Sequence, residues 1–262
     1  MRLTFLGTGG VWAAPVHGCA CVACTRACAD DSLRRRPASA LVECDGFRLL
    51  IDGGREDLPE LFPPGTLDAM LLTHFHPDHV LGLFRLRWSK AERLTVFCPP
   101  DAVGCDDLRR HPGRLAFRDV EPFIAFEVGP LTVTAVPLIH SRLTFGWLVE
   151  HRGKHIAYLS DTIGLPEATI SFLAPLAVDT LVLDCAYPPN GGPGRNHNDI
   201  DEAIATIKLL APRRAFLTHV NHELDCWLID RSLPGGIVVG RDAQRVILVD
   251  TSVEPPTPRT SD

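Results

Sequence analysis

Four side chains able to bind metals stand within six positions of one short segment, Thr73–His79. They are His74, His76, Asp78 and His79, in the order Thr-His-Phe-His-Pro-Asp-His. Imidazole nitrogens and carboxylate oxygens are the usual protein ligands of borderline-to-hard divalent metals. We interpret the segment as a metal centre and not as a solvated histidine-rich loop, because an apolar run directly precedes it.

That apolar run, Asp68–Leu72, is predicted to be a buried strand. Side chains alternate along extended backbone, so His74 and His76 are expected to point in the same direction. The proline after His76 favours a turn, which would carry Asp78 and His79 to a neighbouring point. The spacing therefore predicts two adjacent metal sites, one bound by two imidazoles and one by a carboxylate and an imidazole.

Three further potential ligands lie far apart in sequence, and each follows a predicted β-strand. They are His140, Asp161 and His219. Ligands that follow different strands can meet at one edge of a sheet, and such an edge can assemble a two-metal site that activates water. Asp52 also ends a predicted strand, just before two glycines, and is expected to support the ligands by hydrogen bonding.

A second cluster of potential ligands is rich in cysteine and lies in a predicted zinc-binding loop over residues 18–28. Cys19, Cys21 and Cys24 are closely spaced, and Cys28 follows four residues later. A structural Zn²⁺ takes four soft or borderline ligands in a tetrahedron. The spacing leaves the fourth ligand open between Cys28 and a distant histidine.

Composition and charge limit the class of protein. The 262 residues are 45% hydrophobic and require no more than one domain, which we place at residues 1–250. A formal net charge of −6 gives no general attraction to nucleic acid. We see neither a signal peptide nor a membrane-spanning segment, and predict a cytoplasmic protein with no membrane partner. The tail over residues 251–262 contains three prolines and is predicted to be disordered.

The order of the predicted elements indicates a loop-rich α/β fold. Apolar spacing predicts one helix over Val80–Trp88, beginning beside the metal ligands, and another over Ile200–Leu210 that Asn or Asp caps. The glycine cluster Gly7–Gly10 follows the first predicted strand but lacks the Lys and Ser/Thr of a phosphate-binding loop. We predict instead that it lets the backbone approach a neighbouring site closely.

These motifs resemble those of the metallo-β-lactamase superfamily, whose fold is an αββα sandwich of two mixed sheets with metals at one edge. Thr73–His79 matches its HxHxDH signature. More narrowly, the chain from about residue 3 to about residue 249 is similar to the phosphoribosyl 1,2-cyclic phosphate phosphodiesterases of the carbon–phosphorus lyase pathway. This similarity includes the glycine cluster, the cysteine motif and the segments that begin at His140, Leu159, Asn196 and Thr218.

The resemblance implies a role for each candidate residue. One metal would be bound by His74, His76 and His140, the other by Asp78, His79 and His219, with Asp161 bridging the two. The pair would be Mn²⁺ or another divalent metal, and one structural Zn²⁺ would be held by Cys19, Cys21, Cys24 and His222. His197 would act as the general acid, and the catalytic set would also include Asp78.

The same resemblance implies a homodimer that hydrolyses 5-phosphoribosyl 1,2-cyclic phosphate to ribose 1,5-bisphosphate in phosphonate catabolism. Arg34–Arg36 or Arg109–His111 could hold the 5-phosphate, and the sequence does not decide between them. Three alternatives are a tRNA 3′-processing endonuclease, a protein of the pyrroloquinoline quinone biosynthesis type, and a non-enzymatic metal-bound sensor. The negative net charge argues against the tRNA endonuclease. The residues around His140 and His197 fit the pyrroloquinoline quinone type less well. A sensor that only binds metal has no need for a proton donor such as His197.

Overall fold

The first of two seven-stranded sheets is formed mainly by the N-terminal half of the chain. A computed structural model describes residues 1–191 and 196–249, so the tail predicted to be disordered lies outside the described residues. The strands are β1 (Arg2–Gly7), β2 (Ser39–Cys44), β3 (Phe47–Ile51), β4 (Ala69–Leu71), β5 (Leu94–Cys98), β6 (Leu115–Asp119) and β14 (Arg245–Ile247). Their order is β14-β1-β2-β3-β4-β5-β6, antiparallel from β14 to β3 and parallel from β3 to β6.

The second sheet has the same mixed character. Its strands are β7 (Ala125–Val128), β8 (Leu131–Pro137), β9 (Phe145–His151), β10 (Lys154–Leu159), β11 (Thr180–Asp184), β12 (Ala215–Thr218) and β13 (Ile237–Val239). The order is β13-β12-β11-β10-β9-β8-β7, parallel from β13 to β10 and antiparallel from β10 to β7. Each sheet therefore has a parallel half, where ligands that follow the strands can gather at one edge.

The helices lie outside the two sheets. They are α1 (Val22–Ala29), α2 (Leu58–Leu61), α3 (Pro77–Val80), α4 (Leu83–Leu86), α5 (Asp106–Arg110), α6 (Glu167–Leu173), α7 (Ile200–Leu210) and α8 (His222–Leu228). Helices α2 to α5 pack on the first sheet and α6 to α8 on the second. In the described part of the chain, none of them has the length and apolar character that crossing a bilayer requires.

Alternation along the strands explains how the two sheets share a core. On β10, Ile156 and Tyr158 pack between the sheets, while Ala157 and Leu159 face the helices. Trp147 and Tyr158 are fully buried and are among the largest side chains of the core between the sheets. The predicted αββα sandwich of two mixed sheets is confirmed.

One predicted helix is wrong. Val80–Trp88 does not form a single helix, because the chain breaks it into α3 and α4 at Gly82. The Gly82 N–H donates to the Gly53 carbonyl at 2.8 Å, and a Cβ at Gly82 would lie 2.8 Å from that same oxygen. Close packing against residue 53 therefore replaces the helical bonds that apolar spacing alone predicts.

Most of the predicted cysteine loop, residues 22–28 of 18–28, is helical. Helix α1 spans residues 22–29, and the Cys21 side chain caps it by accepting from the Cys24 N–H at 3.4 Å. In contrast, helix α7 begins where the sequence predicts, at a capping box. At the start of α7, Asp199 Oδ1 accepts from the Glu202 N–H at 3.0 Å, and Glu202 Oε2 accepts from the Asp199 N–H at 2.9 Å.

Candidate metal centre

The predicted ligands meet at one edge of the sandwich, where strands of both sheets end. They follow β4 (His74 and His76), β8 (His140), β10 (Asp161) and β12 (His219), and α3 carries Asp78 and His79. The Phe145 N–H, at the start of β9, donates to the Thr73 carbonyl at 3.0 Å and joins the two sheets beside these ligands. Residues up to 145 positions apart in sequence are thus brought together by the strand ends.

The first candidate metal position is surrounded by His74, His76, His140 and Asp161. His76 Nδ1 lies 2.8 Å from His74 Nε2 and 3.1 Å from His140 Nε2. Asp161 Oδ2 lies 3.7 Å and 3.8 Å from the same two Nε2 atoms. Ligand atoms at about 2 Å from one metal stand roughly 3–3.5 Å apart, so this spacing fits a single divalent ion.

The second candidate position is surrounded by Asp78, His79, His219 and again Asp161. Asp78 Oδ2 lies 3.5 Å from both His79 Nε2 and His219 Nε2. Asp161 Oδ1 lies 3.3 Å from His79 Nε2, and Asp161 Oδ2 lies 3.3 Å from His219 Nε2. Asp161 belongs to both clusters and is therefore placed to bridge two metals.

Two buried imidazole nitrogens indicate that cations belong in this centre. His79 Nε2 and His219 Nε2 have no hydrogen-bond partner among the residues that the structure describes. An unpaired polar atom in the interior costs free energy, whereas a coordinated metal would use the lone pair of each nitrogen. The residues present therefore fit the divalent metals that the fold implies.

The ionisation of the cluster leads to the same interpretation. Burial holds the pKa of His74 well below its usual value and lowers that of His76 to about 4, so both rings are neutral and can ligate. Burial also opposes charge on His79, yet nearby carboxylates, Asp161 foremost, raise its pKa well above the usual value. The carboxylates thus attract a proton to His79, and a divalent metal would supply that positive charge instead.

Asp52 holds ligands in place from behind, where the sequence predicts a supporting residue. It is fully buried, and its Oδ2 accepts from His79 Nδ1 at 2.9 Å. Its Oδ1 accepts from the Thr73 N–H at 2.8 Å, and the Thr73 hydroxyl lies 3.0 Å from His74 Nδ1. These contacts engage the Nδ1 atoms of both rings and leave their Nε2 atoms for the metals.

Three residues of the centre have left-handed backbone conformations. Asp52, Asp161 and His219 have φ values of 60°, 66° and 60°. A residue other than glycine in this region costs of order 1 kcal/mol, and such strain concentrates at functional sites. The surrounding sheets therefore hold these side chains in conformations that an isolated chain would avoid.

The glycine cluster after β1 lies against the second candidate metal position. A Cβ at Gly10 would lie 2.8 Å from both Nδ1 and Cε1 of His219, and 2.7 Å from Asn221 Oδ1. Real Cβ atoms do not approach other atoms so closely, so only glycine fits without displacing the ring. This close approach is the role that the sequence predicts for the cluster.

We expect Gly10→Ala to displace the His219 ring and to weaken metal binding at the second position. The affinity should fall by about 10–100-fold, the usual effect of disturbing the groups that orient a metal ligand. Titration of metal-depleted protein with Mn²⁺ measures this loss. Gly235→Ala is the matched control, because a Cβ there would meet no atom within 4 Å. Equal affinities in the two variants would contradict the proposed packing.

His197 lies beside both clusters. Its ring centroid is 5.0 Å from that of His140 and 4.4 Å from that of His219. Its Nδ1 lies 2.6 Å from Oδ2 of the buried Asp184, which leaves Nε2 for other partners. Burial lowers the pKa of His197, but the Asp184 carboxylate outweighs burial, and the pKa rises to about 9.

Sequence reasoning missed Asp184. It is the last residue of β11, and it also accepts from the Thr162 N–H at 3.0 Å. An acidic residue at the end of an otherwise apolar strand is the signal that would have found it, since Asp161 and His219 also follow strands. Asp184 holds His197 in position, and its carboxylate favours the ring form in which Nδ1 of His197 carries a proton.

The cysteine cluster lies next to this centre and has a histidine as its fourth member. Cys19, Cys21, Cys24 and His222 lie together, with the sulfurs of Cys19 and Cys21 at 3.6 Å and 3.4 Å from His222 Nδ1. Cys28 is exposed and stands outside the cluster. The apolar core around the cysteine cluster contains small side chains such as Ala14 and Ala27, so a metal would contribute much of the local stability.

We expect Cys21→Ser to lose one zinc per chain and Cys28→Ser to retain it. The melting temperature of Cys21→Ser should fall by about 5–10 °C, the shift that a loss of roughly 2–3 kcal/mol gives a protein of this size. Elemental analysis and calorimetry measure the two effects. Zinc that persists in His222→Ala, or that is lost in Cys28→Ser, would contradict this ligand set.

One arginine from each run considered for the 5-phosphate has structural partners. Arg35 donates to Asp225 Oδ2 at 2.7 Å and to the Thr8 hydroxyl at 2.8 Å. Arg109 donates to Asp119 Oδ1 at 2.8 Å and lies over the ring of Phe75. Both guanidinium groups hold the fold together, so the geometry favours neither as the 5-phosphate ligand.

Comparisons with known proteins agree with this geometry. Residues 48–220 match the family profile described as beta-lactamase superfamily domain. A crystal structure of a diphosphatase from the PhnP family superposes with a TM-score of 0.80 at 26% sequence identity. The match covers 95% of this chain and 98% of that one.

Two curated relatives are similar over part of their length. An octanoyltransferase of Porphyromonas gingivalis is 29% identical over 241 residues, which cover 85% of this chain and 46% of that protein. A ribonuclease Z of Halorubrum lacusprofundi is 29% identical over 186 residues, which cover 63% of this chain and 54% of that protein. The chain thus spans about half the length of these two relatives.

Proposed function

Since the chain belongs to the metallo-β-lactamase superfamily, we propose that it is a hydrolase that cleaves a phosphate ester with two divalent metals. The observation that carries this proposal is the pair of ligand clusters that share Asp161. Two divalent metals held by these clusters would neutralise phosphate oxygens and activate water for in-line attack at phosphorus. The chain's own contribution is to fix the positions of the ligands through Asp52 and Thr73.

The substrate that we propose is 5-phosphoribosyl 1,2-cyclic phosphate, hydrolysed to ribose 1,5-bisphosphate. Water attacks phosphorus, and the bond from phosphorus to the ribose 2-oxygen breaks, so the phosphate remains on the 1-oxygen. The departing 2-oxygen is a poor leaving group and needs a proton. His197 supplies it from Nε2, because Asp184 holds its Nδ1 at 2.6 Å.

The similarity of the cysteine motif and the His197 segment to the phosphoribosyl cyclic phosphate phosphodiesterases supports this substrate. The nitrogen and oxygen ligands of the centre suit Mn²⁺, and the thiolates with His222 suit a structural Zn²⁺. We also propose a homodimer that takes no nucleic acid. The net charge of −6 supports the latter point.

A diphosphatase is the second candidate, because a PhnP-family structure with that activity superposes at a TM-score of 0.80. Both reactions would use the same pair of metals, but they differ in the leaving group. A phosphoanhydride releases phosphate, which is already a stable anion and gains little from a proton donor. The close Asp184–His197 contact therefore favours the ester over the anhydride.

A substrate panel tests the proposal. Manganese-loaded protein is assayed with the ribosyl cyclic phosphate, a nucleoside diphosphate and a tRNA precursor. We expect kcat/KM for the cyclic phosphate to exceed that for each competitor by roughly 100-fold or more. A higher value for the diphosphate or the tRNA precursor would assign the protein to that class instead. If the protein hydrolyses none of the three substrates, the proposal of a two-metal phosphohydrolase is contradicted.

A further inference from the structure

A cavity rich in arginine lies apart from the metal ligands, between α1, α8 and β13. Its volume is about 450 Å³, which is in the range of small-molecule sites. Five arginines line it: Arg26, Arg34, Arg35, Arg231 and Arg241. None of the candidate metal ligands is among the described residues that line it.

The two acidic side chains of the cavity are already paired. Asp225 accepts two hydrogen bonds from Arg35, at 2.7 Å and 2.8 Å. Asp242 accepts from the Thr8 hydroxyl at 2.7 Å and from a backbone N–H at 2.8 Å. Both carboxylates are thus engaged in the wall, and Arg35 is neutralised by its partner.

Arg34 pairs with Asp31 Oδ1 at 3.1 Å, and the other three arginines leave an excess of positive charge. The guanidinium groups of Arg26 and Arg241 make no hydrogen bond and no ion pair with any residue that the structure describes. Arg231 donates to the Trp227 carbonyl at 2.8 Å and has no carboxylate partner within the described ranges. On a protein with a net charge of −6, this excess within one cavity points to an anionic ligand.

The rest of the lining is mainly apolar. It consists of aliphatic side chains, among them Leu33, Leu228, Leu233, Ile237 and Val239. Guanidinium groups match phosphate oxygens in geometry and charge, whereas aliphatic walls suit a flat or apolar body. A single ligand would have to offer both kinds of surface.

We infer that this cavity is a second ligand site, which binds a small organic phosphate with an apolar or aromatic body, such as a nucleotide. A nucleic acid strand would instead need a long cationic groove with stacking aromatics. A cavity of about 450 Å³ with aliphatic walls fits a small molecule better. The site is separate from the metal centre and does not depend on the substrate proposed for that centre.

Isothermal titration of the full-length, metal-loaded protein with AMP and with adenosine tests this inference. We expect AMP to bind, and adenosine to bind about tenfold or more weakly because it lacks the phosphate. The double variant Arg26→Gln/Arg241→Gln should bind AMP at least tenfold more weakly than wild type. Arg93→Gln is the matched control, because Arg93 is also exposed but does not line the cavity.

A further variant tests the site even if the double variant does not fold. Leu233→Trp fills the cavity without removing a charge and should also lose AMP binding. Equal AMP affinity in the double variant and in Arg93→Gln would overturn the inference, because AMP would then bind elsewhere, for instance at the metals. Absence of AMP binding in wild type would overturn it as well.

Discussion

Asp161→Ala is expected to lose the paired metals and to lower phosphodiesterase turnover by about three orders of magnitude, since metals contribute several kcal/mol of transition-state stabilisation. Asp161 is fully buried between the two clusters, with oxygens 3.3–3.8 Å from four imidazole nitrogens. Removing it deletes a ligand from both positions at once. Elemental analysis and steady-state hydrolysis of bis-p-nitrophenyl phosphate measure the two losses.

The left-handed backbone at Asp161 requires two controls. Asp45→Ala places alanine at a comparable φ of 48°, outside both ligand clusters, and should retain metals and activity. Asp161→Asn tolerates the left-handed conformation and removes only the negative charge, so it should resemble Asp161→Ala in metal content. An Asp161→Ala variant that is active and carries its full complement of metals would exclude the bridging role.

His197→Ala is expected to retain the active-site metals and to lose activity selectively. With a poor alkoxide leaving group the rate should fall by roughly 10²–10⁴-fold, the usual contribution of general acid catalysis. The loss should be much smaller with bis-p-nitrophenyl phosphate, because nitrophenolate hardly needs a proton. Parallel assays of the ribosyl cyclic phosphate and the nitrophenyl diester give the comparison.

Asp184→Asn provides a matched test of the same idea. Its carboxylate lies 2.6 Å from His197 Nδ1 and is not among the ligands of either candidate metal position, so it acts by positioning His197. The asparagine should show a smaller loss with the same dependence on leaving group. Equal losses on both substrates in His197→Ala would mean that His197 binds phosphate or supports a metal, and not that it donates a proton.

The parts of the fold that could be predicted from the sequence are those with local signals. Strands Ser39–Cys44, Phe47–Ile51 and Leu94–Cys98 carry such a signal, because their runs of apolar and β-branched side chains end at turns. Helix Ile200–Leu210 begins at its predicted cap. The metal centre could be located for a similar reason, since its ligand types follow strands.

The remaining features depend on tertiary contacts that leave no local pattern. The break at Gly82 arises from packing against residue 53, and α1 is a helix of small residues beside the cysteine cluster. The edge strands β13 and β14 have three residues each, too few to show alternation. His222 and Asp184 could not be linked to their partners by spacing, because those partners come from other elements of the fold.

The most direct test of the two-metal centre is the electron paramagnetic resonance spectrum of the protein loaded with Mn²⁺ to saturation. Asp161 bridging two ions about 3.5–4 Å apart should give an exchange-coupled spectrum and two manganese ions per chain. The coupled signal should disappear in Asp161→Ala. A wild-type spectrum of isolated Mn²⁺, with one ion per chain at saturation, would contradict the bridged pair.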